Sequence, residues 1–254
     1  MSPVRFVGPL ESAALLTILP VPARAAGSTR GVLPWAPLVG LALGGVAAGV
    51  AVLGDRWISP LAGAVLAVAV LAVLTRGLHL DGLADTADGL GPLRDRERAL
   101  QVMHQGDVGP FGVVTLVLTL LLQVACLAAL LETRWGWLAL CASVAVARLA
   151  MARTGLPGVP AAEGSSLGAL VAGTVSVRWL AGWAVVLLAL LGAATSADLT
   201  AAGPLAAAAL AGLLAAEVLY RRARARLGGV TGDVMGAMGE TATAATLLVA
   251  AAVV

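Results

Sequence analysis

An all-α polytopic membrane protein is the fold class that this sequence predicts, and three observations predict it. The chain is 60% hydrophobic and only 12% charged, with a mean hydropathy of +0.97, far outside the range of soluble domains. Its apolar residues fall into long runs separated by short polar loops. Its cations, all arginine, collect on alternate loops. Together these predict about seven transmembrane helices plus an N-terminal interfacial or half-inserted helix. The N-terminus is placed in the cytoplasm, and residues 1–254 form a single integral-membrane domain.

The elements follow in order. Residues 6 to 20 are apolar but short and contain Glu11, which suits an interfacial helix ending at Pro20 and Pro22. Leu33 to Leu53 is the first full span, long enough for an apolar slab of about 30 Å. Its Gly40, Gly44, Gly45 and Gly49 have the small-xxx-small spacing that permits close helix contact. The second span runs from Pro60 to Thr75 and is expected to continue as helix into a stretch rich in acids. Gly89, Gly91 and Pro92 should stop that helix, and Leu93 to Met103 reads as a short polar helix. Further spans are expected at Val113–Leu131, Trp135–Ala152, Val177–Ala194 and Ala201–Tyr220. A last span begins near Asp233 and ends at Val254, because the purely apolar run from Thr243 is too short to cross alone. Cys126 and Cys141 lie within apolar runs and read as small core residues.

Charge orients this array. With seven spans, fourteen arginines fall on the side of the N-terminal segment and the loops at 76–112, 153–176 and 221–240, against Arg56 and Arg134 on the other. Positive charge marks the cytoplasmic side. The polar loops are therefore placed in the cytoplasm of a prokaryotic cell membrane.

One of those loops concentrates the acids. Asp81, Asp85, Asp88, Asp95, Glu97 and Asp107 all lie between Arg76 and Gly112. Asp81, Asp85 and Asp88 stand at i, i+4 and i+7, within roughly 60° of arc on a helix. Three carboxylates on one face repel, and a hard divalent cation removes the conflict. Magnesium takes one or two carboxylates plus phosphate oxygens, so the spacing points to a magnesium-diphosphate site. A solvated acidic helix face is the plainer alternative.

A second constellation precedes the last span. In Thr231-Gly-Asp-Val-Met-Gly-Ala-Met-Gly-Glu240, Asp233 and Glu240 are again i, i+7, and Thr231-Gly232-Asp233 suits a helix start whose free N–H groups attract phosphate. Gly236 should leave the backbone open there. Asp233 as a simple N-cap is the bland reading. Arg148, within a span, either snorkels or faces the site. The Arg221–Arg226 run either orients the protein or holds phosphate. His79 points away from the acid face on an ideal helix, and His104 sits beside the Gly106-Asp107 turn. Glu163 occupies a Gly/Pro/Ser-rich loop.

At these residues the chain resembles the cobalamin synthase family, the membrane-bound adenosylcobinamide-GDP ribazoletransferases. The segment H-L-D-G-L-A-D-T-A-D-G-L is similar to the family's first motif and T-G-D-V-M-G-A-M-G-E to its second. L-L-T-I-L-P-V-P, M-x-x-G-D-V-G-P-F-G and P-A-A-E-G-S-S-L-G also fit, so the resemblance runs from about residue 15 to residue 245. His104-Gln105-Gly106 departs from the Lys/Arg-Asp-Ser that members often carry, and Thr243 stands where many have a further acid.

The resemblance implies a transferase of cobalamin biosynthesis. It would join adenosylcobinamide-GDP to alpha-ribazole (or its 5′-phosphate), giving adenosylcobalamin (or its phosphate) and GMP, with magnesium as cofactor. Read onto the residues, the metal candidates are Asp81, Asp85, Asp88, Asp233 and Glu240. Asp88 or Asp233 would act as base, with His79 a further catalytic candidate. Arg94, Asp107, Arg148 and Glu163 are the substrate-binding candidates. The partners expected are the two substrates and the bilayer, with no nucleic acid. A homo-oligomer and a complex with other cobalamin-assembly enzymes both stay open. A prenyl- or CDP-alcohol-type transferase is the nearest alternative. An ion-coupled transporter fits less well, because transport sites lie near the midplane and these acids lie at one surface.

Overall fold

The computed structural model describes residues 7–22, 27–92, 95–196 and 198–254, and every described element is helical. In chain order these are α1 (Gly8–Leu16), α2 (Val32–Trp57), α3 (Pro60–Leu74), α4 (Leu78–Gly89), α5 (Arg96–Met103), α6 (Pro110–Leu131), α7 (Gly136–Ala152), α8 (Ser166–Val171), α9 (Val177–Ala194), α10 (Ala202–Leu227) and α11 (Gly232–Val253). Six helices, α2, α6, α7, α9, α10 and α11, are long and apolar enough to cross a membrane, with α7 and α10 each extended by a short 3₁₀ turn. The pair α3 and α4 makes a seventh only if the two are counted as one broken span. The chain is thus a multi-pass membrane protein.

The helices pack around α7 and α11, which are largely buried, whereas α9 is almost wholly exposed and suited to lipid. Lipid tails are as apolar as leucine, so close backbone approach has to do much of the work of association. Gly40 and Gly44 supply it between α2 and α7. A Cβ at Gly40 would stand 2.9 Å from the Val144 carbonyl oxygen, and one at Gly44 3.0 Å from the Cys141 Cα. Gly45 and Gly49, expected to share this role, face open space.

The continuous helix expected from Pro60 into the acidic stretch is broken. The Gly77 N–H donates to the Ala72 carbonyl at 2.7 Å, closing α3, and Arg76 and Gly77 both take left-handed φ values, 56° and 68°. Such a conformation costs a non-glycine residue about 1–2 kcal/mol. Arg76 is held there by its guanidinium, which donates to the Leu15 carbonyl at 2.8 Å. Beyond the break α4 runs at 89° to α3. The two therefore do not form one continuous helix through the membrane. Asp81 is therefore on the first turn of a separate helix, not near the end of a long one.

The N-terminal helix is nine residues long, about 14 Å at 1.5 Å per residue, too short to span. It packs on the start of α2, where the buried Glu11 side chain accepts from the Gly31 N–H. Asp95 caps α5 by accepting from Arg98 N–H at 2.8 Å, and Thr231 caps α11 by accepting from Val234 N–H at 3.1 Å. Asp233 is therefore not the cap. Cys126 and Cys141 are free thiols.

Candidate functional site

The start of α2, the end of α7 and the crossing of α4 with α11 meet around one cavity. There α4 crosses α11 so closely that both backbones need glycine. A Cβ at Gly82 would lie 2.7 Å from the Asp233 carbonyl oxygen, and one at Gly236 3.1 Å from the His79 Cα. Gly236 therefore makes room for a helix rather than leaving its backbone open.

This crossing divides the expected acid set. Asp81 is exposed and Asp85 half-buried on α4, with Asp233 half-buried beside them on α11. Burial comes first and the charges of Asp81, Asp233 and Asp88 next in pushing the Asp85 carboxyl up to about 7. Asp88 is buried and turned toward α6. Its Oδ2 accepts from the Gly109 N–H at 2.8 Å, while Oδ1 is buried without a partner. Gly109 is the N-cap residue of α6 and has no side chain to cap with, so Asp88 does this from 21 residues away. A Cβ at Gly109 or at Gly112 would collide with the Asp88 carboxylate, which explains both glycines of the G-P-F-G turn.

Glu240 lies on the other side of the crossing. It accepts from Gln123 Nε2 at 2.8 Å and lines a small cavity with Gln123, Arg148 and Thr243. Gln123 was not singled out from the sequence, although a lone glutamine inside the apolar run of α6 is the signal that marks it. Arg148 is buried, faces this inner cavity, and reaches His79, with Nη2 at 3.5 Å from Nδ1. Arginine can only donate, so Nδ1 accepts and the ring proton belongs on Nε2. Burial and then the Arg148 charge hold the His79 ring well below the usual histidine range, so it is neutral at pH 7. Its Nε2 is buried without a partner.

A larger cavity of about 280 Å³ opens on the outer side of the crossing. His79, Asp233 and His104 line it, together with Thr231, read from the sequence as part of a helix start, and Ser165 and Ser166 of the loop after Glu163, which the sequence gave no role. The loop bearing Glu163 is stitched to the entry of α11. Ala162 N–H donates to the Val230 carbonyl at 3.1 Å, and Val230 N–H to the Pro160 carbonyl at 2.9 Å. Glu163 and Asp107 are exposed and do not line the cavity. Arg94 lies outside the described residues. Of the Arg221–Arg226 run, Arg221 bonds Glu217 at 2.8 Å. Glu217, taken as a span-end charge, also forms a two-point pair with Arg153 at 2.7 and 3.2 Å.

Among the described residues no three His, Cys, Asp or Glu side chains are gathered tightly enough to hold a metal ion by themselves. The arrangement instead offers Asp81, Asp85 and Asp233 as an accessible acid face beside a half-apolar cavity. Such a face needs oxygen donors from a ligand to complete a cation shell.

The chain matches the family model described as cobalamin-5-phosphate synthase over residues 9–251. It is 40% identical to an adenosylcobinamide-GDP ribazoletransferase of Frankia casuarinae, over 93% of this chain and 91% of that protein. It is 42% identical to one of a Nocardioides species, over 93% and 95%, and 38% identical to one of Bradyrhizobium diazoefficiens, over 95% and 92%. No solved structure matches it. A match across nearly the whole chain, to relatives that share its length, places this membrane transferase in the cobalamin-5-phosphate synthase family of cobalamin-biosynthesis enzymes.

Proposed function

We propose that this enzyme moves the adenosylcobinamide-phosphate group of adenosylcobinamide-GDP onto alpha-ribazole or its 5′-phosphate, with magnesium, releasing GMP. One observation carries the reading: Asp233 belongs at once to the acid face of α4 and to the wall of the 280 Å³ cavity. A diphosphate at the face and an acceptor alcohol in the cavity would therefore meet at Asp233.

The donor set fits magnesium. It is all carboxylate oxygen, its members repel one another at Asp85, and it is too few to close a shell without phosphate oxygens. Asp81, Asp85 and Asp233 are the residues proposed to hold the ion, and when bound it would neutralise charge on the diphosphate. Asp88 and Glu240 are left out of this set because Asp88 is buried toward α6, with one oxygen held by the Gly109 N–H, and Glu240 lies across the crossing, with one oxygen held by Gln123.

The transfer balances simply. A ribose hydroxyl oxygen bonds to the cobinamide-side phosphorus, and the bridging P–O bond breaks with its electron pair leaving on GMP. The hydroxyl proton passes to a carboxylate, and we assign that role to Asp233, which lines the cavity, rather than to Asp88, which accepts from the Gly109 N–H. Arg148 serves as a buried support behind His79 in this account, rather than as a phosphate ligand. The site is proposed to face the cytoplasm from the cytoplasmic membrane, on the arginine asymmetry alone.

The test is turnover by purified protein in nanodiscs, given adenosylcobinamide-GDP and alpha-ribazole with and without magnesium. GMP and the corrin product should appear together and only with the metal. Turnover of a lipid diphosphate instead would assign the acid face to another transferase chemistry.

A further inference from the structure

We propose that an anionic phospholipid sits between α9 and the bundle, with an acyl chain laid along an apolar groove and its phosphate held by arginines at one end. The inference does not depend on the transfer reading above.

The groove exists because α9 stands off its neighbours. Of its eighteen residues only Leu191 is buried. The helix is tied down near its start, where the indole N–H groups of Trp179 and Trp183 both donate to the Pro34 carbonyl, at 2.6 and 2.9 Å. Between α9 and the pair α7 and α10 lie two cavities of about 460 and 400 Å³. They share Leu149, Ala184 and Leu213, so they form one groove. Along α9 it runs from Val177 to Leu191, about 21 Å at 1.5 Å per residue.

Position and shape select the occupant. The three helices that wall the groove are membrane-crossing. Leu188, Leu210 and Leu214 on its rim are exposed, so it opens sideways into lipid. Side chains that face an unfilled space lose their dispersion partners. Yet α9 touches both α7 and α10, which leaves no room between them for another helix of about 10 Å diameter. A single hydrocarbon chain fits, and the groove is longer than the roughly 15 Å that one leaflet contributes to the apolar slab.

Charge stands at one end only. The larger part of the groove is lined by apolar side chains throughout, whereas Arg153 and Glu217 close the other part. Among the described residues Glu217 is the one acid lining the groove, and two arginines share it, Arg153 at 2.7 Å and Arg221 at 2.8 Å. Arg178 is exposed on the first turn of α9, next to Val177 of the groove wall. Three guanidiniums against one carboxylate leave an excess of positive charge, and their planar donors suit phosphate oxygens.

The test is native mass spectrometry of the full chain in mild detergent, with phosphatidylglycerol and phosphatidylcholine of matched chains in equal amounts. Wild type should retain one phospholipid and favour phosphatidylglycerol about fivefold, the scale for one arginine near an anionic surface. Ala184→Phe fills the groove where its two parts join and should lower the retained lipid about tenfold. Arg178→Gln leaves the groove open, so it should keep the lipid and lose most of the preference; it reads the headgroup end even where Ala184→Phe folds poorly. Equal retention by wild type and a folded Ala184→Phe overturns the proposal, as does a wild type without preference between the two lipids. A lipid-free dimer that Ala184→Phe dissolves also overturns it, and gives the groove to a second copy of this chain.

Discussion

Gly82 and Asp233 touch backbone to backbone: a Cβ added at Gly82 would stand 2.8 Å from the Asp233 Cα. The acid helix α4 and the acid-bearing start of α11 are held in register by that missing side chain. Gly82→Ala should force the helices apart and cost about 1–3 kcal/mol, the range for overpacking. Thermal unfolding in detergent should show the loss, and turnover should fall by more than the unfolded fraction accounts for.

Asp85 is the residue whose charge the metal-free protein tolerates least. Its folded-state carboxyl is raised, so the folded chain holds the proton more tightly than the unfolded one. The resulting penalty is absent below about pH 4, grows from there, and is complete above about pH 7. Asp85→Asn should therefore melt higher than wild type at pH 8 without magnesium, and no higher at pH 4. The same substitution should lower turnover by about 100-fold, the scale for losing one preorganised charge contact. A variant that gains stability at pH 8 and keeps full activity would remove Asp85 from the site.

Asp88 separates a structural acid from a functional one. Asp88→Asn keeps an oxygen for the Gly109 N–H, whereas Asp88→Ala leaves that half-buried N–H without it, at about 1 kcal/mol. Circular-dichroism melts should rank Asn well above Ala, and magnesium affinity should change little in Asp88→Asn.

Arg148 and Glu240 face one small buried cavity from α7 and α11. Arg148→Met removes the positive charge that faces the Glu240 carboxylate across the cavity and should destabilise by about 1–3 kcal/mol, the range for a buried polar group left less well satisfied. Adding Glu240→Gln should restore part of that loss. Because Arg148 also sets the His79 tautomer, Arg148→Met should raise KM for alpha-ribazole even where the double variant folds well.

Much of this was legible in the sequence. The apolar runs marked six spans close to their helices, since only a helix satisfies the backbone of one segment within itself in lipid. The i, i+4, i+7 acids did fall on one helix, although Asp88 is buried against the turn before α6 while Asp81 is exposed. What was not legible were the interruptions and the crossings. Arg76 adopts a left-handed φ that no propensity assigns to arginine, so the break before α4 was missed. Asp233 and Glu240 share a face of α11, but α4 lies across that face and puts them in different cavities. Gly109 and Gly112 read as turn glycines, because their use as a socket for Asp88 depends on tertiary contact alone.

The most direct test of the central claim compares GMP release by Asp233→Asn and Asp88→Asn in nanodiscs with both substrates and magnesium. The geometry places Asp233 at the junction of acid face and cavity and ties Asp88 to Gly109. The account expects kcat to fall about 100- to 1,000-fold in Asp233→Asn and less than about tenfold in Asp88→Asn. The opposite order would contradict it and make Asp88 the acid that the chemistry uses.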